Sequence, residues 1–160
     1  MDILTGVTEV LKDRGLKIAA AESCTGGLLG VYLTSMPGSS QFFELGMVTY
    51  SNEAKIKLLG VKESTISQYG AVSENTAKEM AANIKNIADV NIGVGITGIA
   101  GPDGGSIEKP VGLVYIGVSM ENTTHIYKHF FEGNRADVRE KSVLAAIEHI
   151  SVLLKEKCEK

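Results

Sequence analysis

Serine, cysteine and threonine stand side by side in AESCTGG, residues 21–27, between the apolar segments LKIAA and LLGVYLT. Reacting groups in α/β proteins usually lie where a buried strand meets the next helix, because the helix start offers unpaired N–H groups there. Ser23 is therefore a candidate nucleophile, unless it simply caps the helix, and Cys24 as a thiolate is the alternative. The predicted helix start also offers candidate N–H donors to a substrate or a developing oxyanion, at Thr25, Gly26 and Gly27.

A serine nucleophile requires a base, and Lys55 is placed to act as one. Lysine can replace histidine in this role when its pKa falls towards the working pH. Lys55 follows the segment VTYSN, in which Ser51 or Asn52 would cap a helix, so the positive end of the helix dipole disfavours a charged amine. Burial in a cleft would lower its pKa further. Tyr50, at the predicted strand end, is the second candidate partner; a solvated lysine and a packing tyrosine are the ordinary alternatives.

The histidines and cysteines of the chain offer neither a triad nor a metal site. His125 and His129 lie on one predicted strand about 13 Å apart, and His149 lies on the last predicted helix. This spacing favours packing or surface roles, and no Cys, His and Asp cluster has zinc spacing, so we expect no protein-bound catalytic metal. Cys24 and Cys158 lie far apart in the sequence, which argues against a structural disulfide and is typical of a reducing cytoplasm.

A glycine-rich segment, TGIAGPDGG at residues 97–105, contains four glycines and one proline and cannot form regular structure. Its exposed amides suit a phosphate or a planar amide, and a long loop in a compact domain is more often functional than a plain connection. We therefore expect substrate-binding groups in this segment, at Thr97, Gly98, Gly101, Gly104 and Gly105. Arg135, at the start of the last predicted helix, is a candidate for pairing with a phosphate, and a surface arginine is the ordinary alternative.

The overlapping segment GVGITG, residues 93–98, matches the dinucleotide-binding pattern G-x-G-x-x-G. That pattern requires a helix directly after the glycines, whereas Pro102 and Gly104 follow here. We therefore interpret GVGITG as a glycine-rich strand that enters a loop.

Apolar periodicity predicts an α/β fold in which helices separate the early strands and a hairpin closes the sheet. Predicted helices cover residues 2–14, 25–35, 52–59, 73–88 and 135–156, and predicted strands cover residues 17–22, 43–50, 90–97, 111–120 and 124–132. We therefore expect a single domain over residues 1–160, with a mixed β-sheet flanked by helices in three layers, α/β/α. The loops that follow the strands should converge on one pocket.

Composition excludes several functional classes. The chain has 160 residues, a formal charge of -3 and no basic stripe with interleaved aromatics, so we expect no nucleic-acid partner. The N-terminus lacks the blocks of a signal peptide, and no apolar run approaches the ~20 residues that span a bilayer. We therefore expect a cytoplasmic protein without a membrane partner. Small α/β enzymes commonly assemble symmetrically, so a homo-oligomer is also expected.

Five blocks of the sequence resemble the CinA C-terminal family over nearly the whole chain: AESCTGG at 21–27, VTYSNEAK at 48–55, GAVSENTAKEMA at 70–81, TGIAGPDGG at 97–105 and KPVGLVYIG at 109–117. The enzymatic members of that family are nicotinamide mononucleotide deamidases of the PncC type. In those members the serine of the first block is the nucleophile, and the lysine and tyrosine of the second block activate it. The matching positions in this sequence are Ser23, Lys55 and Tyr50.

The resemblance implies hydrolysis of the carboxamide of nicotinamide mononucleotide to nicotinate mononucleotide and ammonia, with Lys55 taking the Ser23 proton directly or through Tyr50. The reaction it implies needs no metal and no cofactor. A catalytically silent nucleotide-binding or regulatory module of the CinA type stays open as an alternative, as does an amidohydrolase for another pyridine amide. Family members also occur fused behind a larger N-terminal domain. The family often has Gly-Asp-Arg before its last helix, whereas this chain reads GNR at 133–135, so Arg135 is retained without the acid.

Overall fold

The computed structural model describes residues 1–157, so Cys158 lies outside the described part of the chain. Residues 1–157 contain six α-helices: α1 Ile3–Asp13, α2 Leu28–Thr34, α3 Asn52–Lys57, α4 Glu63–Tyr69, α5 Glu74–Ala88 and α6 Arg135–Glu156. They also contain five strands: β1 Ile18–Glu22, β2 Phe43–Val48, β3 Ile92–Gly98, β4 Leu113–Met120 and β5 Thr123–Phe130. A short 3-10 helix, Ser39–Gln41, precedes β2. None of the helices in residues 1–157 is both long and apolar enough to cross a membrane.

The five strands form one mixed sheet in the order β2-β1-β3-β4-β5. β1 pairs in parallel with β2 and with β3, whereas β3 with β4 and β4 with β5 pair antiparallel. Helices lie on both faces, which confirms the predicted three-layer α/β/α arrangement around a mixed sheet. Because β1, β2 and β3 run in the same direction, their carboxyl ends meet at one end of the sheet, where open α/β folds bind ligands.

Two apolar cores form, one on each face of the sheet, because alternate residues of a strand point to opposite faces. Ile18 and Ala20 of β1 face the core that α1, α2 and α6 cover, whereas Ala19 and Ala21 face the core beneath α5. β1 is buried on both faces and so is most of β3, which explains why both strands consist almost entirely of apolar and small residues.

The segment GVGITG forms most of β3, and its glycines serve helix packing. A Cβ atom on Gly95 would stand 2.7 Å from the amide nitrogen of Ala81 and 2.9 Å from the carbonyl oxygen of Ala77, both in α5. On Gly117 of β4 it would stand 2.6 Å from the same Ala77 oxygen. Glycine therefore lets the α5 backbone lie directly on the sheet. A loop follows β3, so the interpretation of GVGITG as a glycine-rich strand is confirmed.

The observed elements differ from the predicted ones mainly at their ends. α2 begins at Leu28 rather than at residue 25, because Gly26 and Gly27 have φ values of 59° and 99°, which a right-handed helix excludes. β2 ends at Val48 rather than at residue 50, and β5 begins at Thr123, so only Glu121 and Asn122 form the hairpin turn. Sequence analysis missed α4, because its sequence ESTISQY is rich in hydroxyl residues that favour turns and caps over helix interiors.

Candidate active site

The ends of three parallel strands bring the predicted functional segments together. Ser23 follows β1 directly, Tyr50 lies two residues after β2, and Thr97 lies near the end of β3. Backbone hydrogen bonds join these ends: the Ser23 amide donates to the Ile96 carbonyl at 3.0 Å, and the Thr49 amide donates to the Glu22 carbonyl at 2.9 Å. The segments therefore converge at one end of the sheet although they are far apart in sequence.

A cleft of about 250 Å³ opens between these segments. The candidates Ser23, Tyr50 and Lys55 line it, as do five of the predicted substrate-binding residues, Thr97, Gly98, Gly101, Gly104 and Arg135. A larger groove of about 400 Å³ lies between α1 and α6, away from the strand ends that carry the candidate nucleophile. We place the site in the smaller cleft because a hydroxyl and an amine of its lining are in direct contact.

The Lys55 amine contacts the Ser23 hydroxyl directly, with Nζ 3.0 Å from Oγ. Two backbone carbonyl oxygens hold the same nitrogen, those of Thr49 at 2.9 Å and Tyr50 at 3.1 Å. Lys55 is 1% exposed and Ser23 is 7% exposed. The solvated-lysine alternative is therefore wrong, and the predicted pair is a buried contact.

Lys55 reaches this position from α3, which Ser51 caps. The Ser51 hydroxyl accepts from the Ala54 amide at 3.0 Å, so Ser51 rather than Asn52 is the cap. Burial lowers the pKa of Lys55 below its ordinary value, because the charged amine loses its hydration. The acidic side chains of residues 1–157 that form ion pairs do so with other lysines. A buried amine without a carboxylate partner suits a general base better than a structural ion pair.

The three oxygens around Nζ of Lys55 accommodate both protonation states of the amine. An ammonium group donates three hydrogen bonds, one to each oxygen, whereas a neutral amine has two N–H donors and one lone pair. When the two donors bind the carbonyls of Thr49 and Tyr50, the lone pair faces the Ser23 hydroxyl. The amine can therefore take the serine proton without leaving its position.

Tyr50 contributes its carbonyl, not its hydroxyl, to the contact between Lys55 and Ser23. Its side chain is 57% exposed, and its hydroxyl accepts a hydrogen bond from Arg135 Nη2 at 3.0 Å. Of the two expected routes for the serine proton, the geometry favours direct transfer to Lys55 over transfer through Tyr50. The tyrosine hydroxyl lies with Arg135 at the exposed rim of the cleft.

Arg135 connects the start of α6 to the glycine-rich loop. Its Nη1 donates to the Gly101 carbonyl at 2.7 Å, while Nη2 holds the Tyr50 hydroxyl. The preceding Asn134 caps α6 in a capping box, accepting from the Asp137 amide at 2.9 Å and donating its own amide to the Asp137 carboxylate at 2.8 Å. The asparagine of GNR therefore serves the helix start that presents Arg135 to the cleft.

Four predicted substrate-binding residues do not line the cleft: Thr25, Gly26, Gly27 and Gly105. The Thr25 hydroxyl is buried against the Glu22 carboxylate, the Gly26 amide donates to the Ser23 carbonyl, and Gly105 lines a neighbouring shallow groove. The amides of Leu29 and Gly30, at the true helix start, also donate to Glu22. The residues expected to supply the oxyanion donors therefore do not line the cleft, and the Glu22 carboxylate accepts from the amides of the true helix start.

Cys24 lies next to Ser23 and lines the cleft, but it is not an activated thiol. It is 6% exposed, and burial, with a smaller contribution from the Glu22 carboxylate, raises its pKa to about 12. A thiol with this pKa stays protonated at neutral pH, and the thiolate is the reactive form. The structure therefore favours Ser23 over Cys24 as the nucleophile.

The structure adds a histidine pair that sequence spacing did not indicate. His129 of β5 and His149 of α6 place their Nε2 atoms 2.8 Å apart, and Tyr127 stacks on His149 with the ring centroids 3.5 Å apart. Alternation along β5 puts residues 127 and 129 on one face, which is the signal that could have indicated a shared helix contact. Across residues 1–157, no group of three or more His, Cys, Asp or Glu side chains is arranged to hold a metal ion.

Known proteins resemble this chain over nearly its whole length. The family model of the CinA C-terminal domain matches residues 2–154. A Caldanaerobacter subterraneus protein whose name describes it as competence-damage inducible is 53% identical over 144 residues, which are 90% of this chain and 35% of the relative. A CinA-like protein of Kosmotoga olearia is 47% identical with the same two coverages. The chain thus spans about a third of the length of these relatives.

Solved structures agree with the fold. A competence or damage-inducible protein from Enterobacter asburiae superposes with a TM-score of 0.92 and 37% identity, over 95% of this chain and 96% of its own. A competence/damage inducible protein from Agrobacterium tumefaciens gives a TM-score of 0.91 and 38% identity, over 96% and 93% of the two chains. With the family-model match, these similarities show that the chain belongs to the CinA C-terminal domain family.

Proposed function

We propose that this chain hydrolyses the carboxamide of nicotinamide mononucleotide to nicotinate mononucleotide and ammonia. The observation that carries the proposal is the 3.0 Å contact between the buried Lys55 amine and the Ser23 hydroxyl in the lining of a cleft. A protein that only binds a ligand has no need of a nucleophile beside a base. The choice of substrate rests on the resemblance of five sequence blocks to PncC-type deamidases.

In the first half of the reaction, neutral Lys55 takes the proton of Ser23 as Oγ attacks the amide carbon of the substrate. Backbone N–H groups of the cleft wall are the donors we propose for the oxyanion. Lys55, now protonated and held by the carbonyls of Thr49 and Tyr50, gives its proton to the amide nitrogen. The C–N bond breaks, ammonia leaves, and the nicotinate mononucleotide acyl group stays on Ser23 as an ester.

In the second half, a water molecule attacks the ester carbon while neutral Lys55 takes its proton. The bond to Ser23 Oγ breaks, and Oγ regains a proton from Lys55. The product nicotinate mononucleotide leaves with a free carboxylate, so one water is consumed for each ammonia released. Both halves use only water and groups of this chain.

The nucleotide part of the proposed substrate carries a phosphate, and Arg135 is the group we propose to bind it. Its guanidinium lies at the rim of the cleft and is oriented by the Gly101 carbonyl and the Tyr50 hydroxyl. Planar N–H groups in a fixed orientation suit phosphate oxygens. Gly98 and Gly104, which also line the cleft, allow a ligand to approach the backbone closely because they carry no side chain.

Ammonia release from nicotinamide mononucleotide tests the proposal. We expect Ser23→Ala and Lys55→Met each to lower kcat by ~100-fold or more, the range typical for loss of a nucleophile or a base. Lys57→Met is the matched control, because Lys57 lies on the same helix, forms an exposed ion pair with Glu53 at 2.6 Å and does not line the cleft. Its kcat should stay within about twofold of wild type, as is usual for surface substitutions.

Equal slow rates in wild type, Ser23→Ala and Lys55→Met would contradict the mechanism. Binding of nicotinamide mononucleotide by wild type without any ammonia release would favour the nucleotide-binding or regulatory module instead. Release of ammonia from another pyridine amide, but not from nicotinamide mononucleotide, would support the roles of Ser23 and Lys55 and contradict the proposed substrate.

A further inference from the structure

A buried carboxylate lies directly behind the turn that carries the nucleophile. Glu22, the last residue of β1, is 2% exposed. Its Oε1 accepts from the Thr25 hydroxyl at 2.6 Å and from the Leu29 amide at 2.8 Å, and its Oε2 accepts from the Gly30 amide at 3.1 Å. One side chain thus connects β1, the turn after Ser23 and helix α2.

This carboxylate takes the place of a helix cap. Gly27 precedes α2 and has no side chain that could accept from the first amides, which every helix leaves without partners inside the helix. The Glu22 carboxylate accepts from two of these amides and brings the negative charge that the positive helix end favours. A helix end already occupied by a carboxylate offers little to a second anion, so its function here is structural.

The turn itself needs an external support. Gly26 and Gly27 both have positive φ, so the conformation of the turn depends on residues without side chains. The turn is also held by the Gly26 amide on the Ser23 carbonyl at 3.0 Å, by the Leu28 amide on the Thr25 carbonyl at 3.1 Å, and by Arg139 Nη2 on the same Thr25 carbonyl at 3.0 Å. Outside the reacting pair of Ser23 and Lys55, the bond between Glu22 and Thr25 is therefore a side-chain to side-chain hydrogen bond that holds this glycine turn.

We propose that Glu22 is a positioning residue, which fixes the turn so that Ser23 Oγ stays within hydrogen-bond distance of Lys55 Nζ. Glu22 does not line the cleft, and its carboxylate accepts from Thr25, Leu29 and Gly30 rather than from the reacting groups. The inference rests on the proposed function, because it assigns Glu22 a role in that reaction. Misplacement of a reacting group by about 1 Å can cost ~100-fold in rate. A shift of the Ser23 turn would leave the substrate contacts elsewhere in the cleft unchanged, so it should lower the rate without weakening substrate binding.

Glu22→Gln tests this role while it preserves the volume of the side chain. The amide oxygen can still accept from Thr25 and Leu29, but the NH₂ group then faces the Gly30 amide, donor against donor. We expect kcat for ammonia release to fall ~10-fold or more and KM to change by less than about twofold. The labelling rate of Ser23 by a fluorophosphonate probe, which needs no nucleotide, should fall in parallel.

Glu44→Gln is the matched control, because Glu44 is an exposed glutamate of the neighbouring strand β2, paired with Lys17 at 2.6 Å. Unchanged kcat and unchanged labelling in Glu22→Gln would overturn the inference. A higher KM with unchanged kcat would overturn it too, because Glu22 would then serve binding. Circular dichroism reports whether the variant folds.

Thr25→Val provides a second test if the Glu22→Gln variant does not fold. This substitution removes only the 2.6 Å hydrogen bond from the Thr25 hydroxyl to Glu22. Its kcat should fall ~3-fold or more, and an unchanged kcat would count against the role of Glu22.

Wild-type protein that reacts with the fluorophosphonate probe but releases no ammonia would contradict the proposed function alone, since the labelling rate of Ser23 still tests the role of Glu22. Wild-type protein that does neither would overturn both.

Discussion

At the scale of single residues, the proposed reactivity depends on a lysine without an acidic partner. Two exposed lysines pair with glutamates, Lys17 with Glu44 and Lys57 with Glu53. Lys55 instead meets one hydroxyl and two carbonyl oxygens, so only dipoles stabilise its charged form. Burial lowers the pKa of Lys55 below its ordinary value, which is the direction that a general base requires.

Activity should rise with pH along an acidic limb set by Lys55. The amine is a base only when neutral, and burial lowers its pKa from the ordinary 10.5, so kcat/KM should reach half of its plateau below pH 10.5. Lys55→Arg should lose ~100-fold or more at every pH, because a guanidinium keeps its proton. Ammonia release across the neutral and alkaline range provides the measurement. A wild-type midpoint at or above 10.5 would rule out this assignment of the limb.

At the scale of elements, the close contact between α5 and the sheet supports one wall of the cleft. The Thr97 hydroxyl, near the end of β3, donates to the Ala71 carbonyl at 2.8 Å, and Ala71 and Val72 line the cleft. α5 begins directly after them, capped by Ser73, whose hydroxyl accepts from the Thr76 amide at 3.1 Å. The packing of α5 on β3 and β4 therefore positions the segment before it as well as the core.

Gly95→Ala should destabilise the fold by about 1–3 kcal/mol, the usual cost of overpacking. Its Cβ would stand 2.7 Å from both the Ala81 amide nitrogen and Met80 Cβ, so α5 would have to move away from the sheet. Gly6→Ala in α1 is the control, because the nearest atom to its Cβ is Met1 Sδ at 3.8 Å and alanine favours the helix by up to ~1 kcal/mol. Urea unfolding measures both, and a Gly95→Ala variant as stable as wild type would refute the packing argument.

At the scale of the whole molecule, a cluster of rings joins β5, one of the two edge strands of the sheet, to α6, the helix that presents Arg135 to the cleft. His129 and His149 meet through their Nε2 atoms, and Phe131 stacks on His129 with centroids 4.9 Å apart. One hydrogen can bridge the two Nε2 atoms, whereas two cannot. The contact therefore depends on at least one of the two histidines remaining neutral.

Stability should fall as the pH falls below the ordinary histidine value of 6.5. Burial lowers the pKa of His129 and of His149, and the neighbouring His129 lowers that of His149 further, although Glu148 opposes both shifts. Between the lowered values and 6.5 the unfolded chain binds more protons than the folded chain, so the free energy of unfolding decreases with decreasing pH. His149→Phe keeps an aromatic ring against Tyr127 and removes one of the two lowered groups, so it should weaken this pH dependence.

Urea unfolding of wild type and His149→Phe above and below this pH range provides the measurement. His125→Asn is the matched control, because it removes one histidine but neither member of the pair. An identical pH dependence in wild type and His149→Phe would show that the pair does not control acid stability.

The homo-oligomer also stays a prediction at the scale of the whole molecule, and sedimentation velocity of the wild-type protein tests it.

Much of the architecture and several site residues could be predicted because their signals are local. Apolar runs and periodicity placed five strands and most helices, since burial of one face of an element leaves a repeating pattern in its own sequence. Ser23 and Lys55 are candidates from sequence because a polar turn follows a buried strand and because Lys55 lies in a capped helix, but the same contexts also fit a capping serine and a solvated lysine. The start of α2 was placed too early, since a positive φ at Gly26 and Gly27 leaves no periodic signal.

Residue patterns along the chain are sufficient to predict the class of fold, the strand ends that carry chemistry and the residue types available there. Three contacts follow only from the folded arrangement: the Tyr50 carbonyl rather than its hydroxyl meets Lys55, Glu22 occupies the start of α2, and His129 meets His149. The reason is physical: these contacts join atoms of segments that are distant in the chain or turned by glycine conformations. Their geometry follows from how whole elements pack, which no local pattern of residues records.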